Sequence, residues 1–404
     1  MLLISKIRKC IHDISTDKKR RIYLLGAIMA LALVARIIFI ATLEEKFYFF
    51  DATHYDSAAR GLVSGKGFTL DYKFFNTNKY CSEPVYPLYL AAHYKVFGNT
   101  LLIVRLCQAL LGALTCLLVY LLGKKIWGIW PGLIAAGICA IYPSFVFVSG
   151  LIYPEQLFMT LIVGGLLCLY NYNDTRKMRY LLASGACLGV ALMTKGILIA
   201  FMPFLGLWFL LYSKMPSVKS KLISAGVIYA LVICAMIPWT IRNYNVSGRW
   251  SVIRTHTTMV LDKKYAREQE GVLSHMVSEG FGVGRFLKEY AEEFIQFWSL
   301  YPGKVQSDNE YTSTATRIVS IVATLPVFVF AFLGIWAARK KFCKEWLMIF
   351  LIFSFAFAYS FFVTHMRYRI PVEPYIILFA GLGVTYVFER VNKKITENAK
   401  LNYS

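Results

Sequence analysis

The chain has 404 residues, 57% hydrophobic and 17% charged, with a net charge of +21. That apolar fraction excludes a soluble domain and fits a polytopic membrane protein. The positive charge does not signal nucleic acid, because much of the Lys and Arg falls in short clusters between apolar runs (Lys18 to Arg21, Lys124 and Lys125, Arg176 to Arg179, Lys214 to Lys221, Arg339 to Lys344, Lys393 and Lys394), the pattern that orients membrane spans with their basic ends in the cytoplasm.

In chain order, apolar segments at 22–43, 100–123, 128–149, 155–171, 180–194, 196–213, 221–240, 317–337, 345–363 and 371–389 predict about ten transmembrane helices. The protein is then all-α, with both termini in the cytoplasm and the basic clusters inside. The first segment follows a basic start with no convincing cleavage site, and reads as a retained anchor. Residues 44–99 are external. They hold two stretches with helical periodicity, DATHYDSAARGLVSG and PLYLAAHYKVFG, predicted to lie as amphipathic helices at the interface. The 180–213 region is two short runs joined by Thr194-Lys195-Gly196. One kinked helix there would reverse everything downstream and put the later basic clusters outside, so charge favours two spans. Residues 241–316 form a second external segment, too short and irregular for a domain of its own. This divides the chain into a basic cytoplasmic N-terminus (1–21), a membrane domain (22–390) and a cytoplasmic tail (391–404). Of nine cysteines only Cys81 falls in an external loop, so no structural disulfide is expected.

Charged groups at the external ends of spans are the candidate functional residues. Asp51 follows the aromatic run Phe47 to Phe50 and opens Asp51-Ala52-Thr53-His54-Tyr55. An acid beside aromatics at a membrane surface suits a general base, whereas a helix N-cap or first-turn Asp would need no chemistry. Glu83 sits in a turn stiffened by Pro84 and Pro87, beside Tyr86, and reads either as a held carboxylate or as a solvated loop acid. Glu155 starts a span after Pro154 and faces either the helix dipole or a surface site. Lys195, Arg242, Arg367 and Arg369 lie at separate helix ends on the face where Lys and Arg are depleted. Snorkelling would account for one of them, while a shared anionic ligand accounts for the set. A guanidinium fork matches phosphate oxygens. His54, His256 and His365 show no metal-ligand spacing. No cofactor is required by these residues, although a pair such as Asp51 and Glu83 could still hold a divalent metal.

These pieces in this order resemble the GT-C glycosyltransferases, in particular the bacterial branch with protein O-mannosyltransferases and aminoarabinose-to-lipid-A transferases. The resemblance rests on Asp51 with Tyr55, GLVSGKGF at 61–68, EPVYPLYLAAHYKVFG at 83–98, VRLCQALLGALTCLLVYLLGKKIWG at 104–128, the Glu155 turn, PWTIRNYNVSGRW at 238–250 and MRYRIPVEPY at 366–375. It extends to about residue 390. It implies a GT-C fold, a sugar donor carried on a polyprenyl phosphate, and a glycan, lipid or protein acceptor on the external face of the cell membrane. It further implies that Asp51 is the catalytic base and that Arg242 and Arg367, with Lys195 and Arg369, hold the donor phosphate. Glu83 and Glu155 are the other candidate acids, and His54, Tyr55 and Tyr86 the neighbouring substrate contacts. At 194–196 Thr-Lys-Gly stands where relatives usually carry Thr-Arg-Pro. The large C-terminal soluble domain of the lipid A-modifying members is not expected here, which weighs against a lipid A acceptor.

Two other readings share parts of this pattern. A lipid-linked saccharide polymerase or ligase has many spans and external arginines but needs no carboxylate base in the first loop. A transporter expects inverted repeats and charges near the bilayer midplane; Arg36 and Arg105, in or near apolar runs, are its modest support.

Overall fold

The structure is a computed structural model that describes residues 16–69, 83–247, 250, 282–301, 313–339, 345–362 and 365–401. Readings that rest on Cys10, Cys81, His256 or Cys343 lie outside these residues, as do parts of both external segments. The described residues form α-helices and short 3-10 runs without a strand. The helices are α1 (Lys18–Ala41), α2 (Phe50–Val63), α3 (Val85–Phe97), α4 (Leu101–Ile126), α5 (Ile129–Ile141), α6 (Pro143–Gly150) and α7 (Glu155–Thr175). They continue with α8 (Met178–Thr194), α9 (Met202–Tyr212), α10 (Val218–Ser247), α11 (Val283–Phe297), α12 (Thr314–Ala338), α13 (Trp346–Tyr359) and α14 (Glu373–Leu401). Each of the ten apolar segments falls on a helix or on a broken pair. Among the described residues, five helical runs are long and apolar enough to cross a membrane (α1, α4, α10, α12 and Met366–Ile395), or six if the bent pair α5–α6 is one span. The two stretches expected as interfacial helices are α2 and α3, whereas α11 was not foreseen. Residues 391–401 extend α14 rather than leaving it.

Local chemistry sets the ends and breaks. The Asp17 carboxylate accepts the Lys19 amide at 2.7 Å and caps α1. Pro143 ends α5, and α6 departs at 51°. The break frees carbonyls at the end of α5, which would be costly in an apolar surround. Arg36, buried within α1, answers it: its guanidinium donates to Ala140 O at 2.9 Å and Cys139 O at 3.4 Å. Arg105 donates to the carbonyls of Glu44 and Lys46 and so ties down the segment ahead of α2. Both arginines that lent support to a transporter are thus backbone clamps.

Close helix crossings use glycine, as expected where lipid offers no hydrophobic drive for association. A Cβ on Gly334 of α12 would collide with the Phe379 carbonyl, and one on Gly383 of α14 with the Phe330 carbonyl. Gly123 and Gly132 let α4 and α5 approach in the same way.

Contacts along α10 resolve the 180–213 region. Gly185 and Gly189 of α8 face Leu231 and Ala235, so α8 runs parallel to α10. Lys221 reaches the Leu210 carbonyl and Tyr229 the Met202 carbonyl, so α9 runs antiparallel to α10. Therefore α8 and α9 oppose each other, with extended backbone at Lys195 and a 3-10 run at Gly196–Phe201 between them. This turn lies at the end of the molecule where α7 begins. At the opposite end, where α4 and α7 finish, Asp174 bridges Lys125 at 2.9 Å and Lys214 at 2.6 Å.

Candidate active site

Four helix ends and the loops between them meet at the first of these two ends. Phe49, in extended backbone, is the N-cap of α2, and Asp51 lies within the first turn. Asp51 is therefore not the cap, and its side chain points elsewhere: Oδ2 accepts from Arg367 Nη2 at 2.8 Å, 316 positions along the chain. Arg367 sits in the 3-10 run Met366–Val372 that leads into α14. Its Nε lies 3.1 Å from Glu155 Oε1, at the start of α7. Lys195 Nζ, at the α8 break, reaches the same oxygen at 3.0 Å. Two carboxylates and two cations therefore form one continuous cluster. The Glu155 side chain is 0% exposed, Arg367 28% and Asp51 46%. Glu155 Oε2 is buried without a hydrogen-bond partner among the described residues.

Aromatic faces wall the cations. The Arg367 guanidinium lies 4.2 Å from the Tyr153 ring centre, and Tyr368 flanks both Arg367 and Lys195. Tyr368 itself stacks on Tyr359 at 4.4 Å. Such faces attract cations and keep their charge partly out of water. Beside Arg367, His365 is held below the ordinary histidine range, first by burial and then by the neighbouring guanidinium.

Glu83 is brought to this end but has a different partner. Its Oε1 accepts the Gly196 amide at 2.9 Å, immediately after Lys195. Tyr86 is fully buried and donates to Gln108 Oε1 at 2.8 Å, while Tyr55 packs edge-on to its ring. Tyr86 is thus a packing residue rather than a surface contact. His54 is half-buried on α2.

The expected set of four cations divides. Lys195 and Arg367 join the cluster. Arg242 lies 4.6 Å from the Trp239 ring centre, over Phe68 as well, and donates to the Phe68 carbonyl at 3.2 Å. Arg369 departs from the expectation. It is fully buried, pairs with Glu373 at 3.0 Å, and donates to the carbonyls of Phe297 and Ser299. The one-turn spacing of Arg369 and Glu373 favours that internal pair, and burial removes the guanidinium from any surface ligand.

Three contributors were not foreseen. Tyr153 and Tyr368 wall the cations, and both adjoin residues the sequence had singled out. Gln108, buried on α4, donates to the carbonyls of Ser149 and Leu151 and so fixes the approach to α7. A polar amide in a 26-residue apolar helix was the available signal.

Chemically, the cluster offers a half-exposed carboxylate able to take a proton and two aromatic-walled cations able to hold an anion. Among the described residues no three His, Cys, Asp or Glu side chains are grouped to hold a metal.

Residues 82–239 match the family model described as dolichyl-phosphate-mannose-protein mannosyltransferase. The matched span contains Glu83, Glu155 and Lys195 but neither Asp51 nor Arg367. No curated protein sequence matches the chain. Among solved structures, the chain is similar to ArnT from Cupriavidus metallidurans bound to undecaprenyl phosphate, with TM-score 0.56, 13% identity, and coverage of 92% of this chain and 61% of that one. It is similar to the archaeal oligosaccharyltransferase AglB from Archaeoglobus fulgidus in complex with an inhibitory peptide and a dolichol-phosphate, with TM-score 0.60, 15% identity, and coverage of 94% and 52%. The apo oligosaccharyltransferase of Archaeoglobus fulgidus gives TM-score 0.64 at 15% identity, with coverage of 96% and 52%. The chain thus spans about three-fifths of the ArnT length and about half of the oligosaccharyltransferase length. The helical architecture and the family match together bear out the resemblance read from the sequence: this chain has the GT-C fold of the membrane glycosyltransferases.

Proposed function

We propose that this chain is an integral membrane glycosyltransferase that moves a sugar from a polyprenyl-phosphate donor to an acceptor on the external face of the cell membrane, with inversion. The observation that carries the reading is the Arg367 guanidinium held between Asp51 and Glu155 with Lys195 beside it. In the reaction the acceptor hydroxyl oxygen attacks the anomeric carbon, and Asp51 takes its proton. The bond from that carbon to the phosphate oxygen breaks, and its electrons leave with the lipid phosphate. Arg367 and Lys195 stabilise the charge that develops there. Glu155 is the buried counter-ion that keeps the two cations together. The lipid phosphates named with ArnT and AglB support a donor of this class. The basic rim around Lys125 and Lys214, at the end opposite Asp51, supports an external site, because basic ends stay inside.

The test compares envelope lipids, glycans and proteins by mass spectrometry in cells lacking the chain and in cells complemented with wild type or Asp51→Asn. The expected result is a sugar mass that wild type restores and Asp51→Asn does not, with transfer reduced about 10²–10⁴-fold. Full restoration by Asp51→Asn rejects Asp51 as the base. The likeness to oligosaccharyltransferases supports a second reading, transfer of a preassembled oligosaccharide, and the size of the restored mass separates the two.

A further inference from the structure

Asp51 and Glu155 balance Arg367 and Lys195 within one network of ion pairs. A base whose carboxylate is committed to a guanidinium is a poor proton acceptor, because accepting the proton would forfeit the pair. A phosphate seat already filled by a carboxylate is likewise closed to phosphate. The two roles assigned above therefore exclude each other in this arrangement, and one partner must leave before the other can act.

Exposure decides which. Glu155 is 0% exposed and shares one oxygen between two cations, so moving it would strand both charges. Asp51 is 46% exposed, sits on the first turn of a short helix and pairs with the terminal Nη2 of the fork. Pairs of that exposure are weak, and a phosphate ester offers the same nitrogen a comparable charge with more acceptor oxygens.

We propose that Asp51 occupies the seat on Arg367 that the donor phosphate takes, so that donor binding displaces Asp51 and frees it to act as the base. The inference rests on the proposed function and adds an order of events: donor first, then a competent base. The coupling is reciprocal, so whatever weakens the Asp51–Arg367 pair strengthens phosphate binding. A residue that served only as a base would leave donor affinity unchanged on removal.

The experiment measures binding of undecaprenyl monophosphate to the purified full-length chain in detergent, for wild type, Asp51→Asn, Asp51→Ala and Arg367→Ala. Undecaprenol, which lacks the phosphate, is the control. Exchange predicts lipid-phosphate binding up to about fivefold tighter in both Asp51 variants, the range set by a partly exposed ion pair. It also predicts loss of binding in Arg367→Ala and unchanged undecaprenol binding in the Asp51 variants. Equal or weaker lipid-phosphate binding by the Asp51 variants overturns the exchange while leaving the lipid-phosphate reading intact. A parallel gain for undecaprenol also overturns it, since the competition would not be for charge. Absence of lipid-phosphate binding in every protein overturns both the exchange and the reading it rests on. Two Asp51 variants, each checked for a monodisperse profile, guard against a single misfolded substitution.

Discussion

Glu83 accepts the amide of Gly196 at 2.9 Å across 113 positions of the chain, so the start of α3 is pinned to the break between α8 and α9. That break carries Lys195, whose ammonium pairs with Glu155. Glu83 thus acts on the cluster through backbone geometry. Glu83→Gln retains a carbonyl oxygen that can accept the Gly196 amide and should keep turnover within a fewfold of wild type. Glu83→Ala leaves the half-buried Gly196 amide without this acceptor, a cost below the roughly 1–3 kcal/mol of a fully buried donor, and should loosen Lys195 and raise the donor concentration required. Steady-state kinetics of the two variants decides the matter: collapse of turnover in Glu83→Gln would make Glu83 a proton-transfer group instead.

The sequence carried the helix positions because each apolar run is bounded by basic clusters, Gly or Pro. It carried Asp51, Glu155, Lys195 and Arg367 as separate charged residues at one face, because charge is scarce on that side. What it did not carry was their partnership, since Asp51 and Arg367 lie 316 positions apart and meet only through the fold. The roles of Arg36, Arg105 and Arg369 were equally hidden: each serves main-chain carbonyls, which no composition records. Helix α11 was missed because it has no long apolar run, although Phe286, Tyr290, Phe294 and Phe297 recur at helical spacing between its charged residues. Its Tyr290 nevertheless docks on the Phe357 carbonyl at 3.1 Å.

Glu155 should be a stability residue as well as a site residue. Glu155→Gln removes the shared counter-ion of Lys195 and Arg367, whose side chains are 14% and 28% exposed. Residual solvent contact keeps the cost below the roughly 3–5 kcal/mol of breaking a fully buried pair. Thermal unfolding in detergent should show a lowered midpoint for Glu155→Gln. The double variant Glu155→Gln with Lys195→Gln should recover part of the loss, because one stranded charge is gone. A strictly additive double variant would mean that the pair contributes nothing beyond its separate members.

The proposed orientation in the membrane can be tested at the two ends of the molecule. Lys66 lies exposed beyond α2 on the side of Asp51, and Lys219 lies exposed at the start of α10 on the side of Asp174. With Lys66→Cys and Lys219→Cys placed singly, in intact cells, in a chain whose native cysteines are replaced by Ser, an impermeant thiol reagent should label the first and spare the second. The opposite pattern would put the Asp51–Arg367 cluster in the cytoplasm and remove the external acceptor from the proposed reaction.

His365 gives the site a pH dependence whose sign is fixed by burial. Burial is the main influence that lowers its affinity for a proton, Arg367 adds to it, and Asp51 only partly opposes it. The unfolded chain therefore binds a proton at the ordinary value near 6.5 while the folded chain still resists. Between that value and the lower folded one, the unfolded state holds more protons, so stability rises with pH. The contribution of neutral His365 is complete above about pH 6.5 and is lost as pH falls through the folded value. His365→Gln cannot take the proton, so its unfolding midpoint should fall less than that of wild type between about pH 7 and pH 5. The two proteins should differ little in pH slope above pH 7.5, where the imidazole is neutral in both states. Parallel melting curves across the whole acid range would show that protonation of His365 carries no folding cost, and that its contact with Arg367 is not electrostatically coupled.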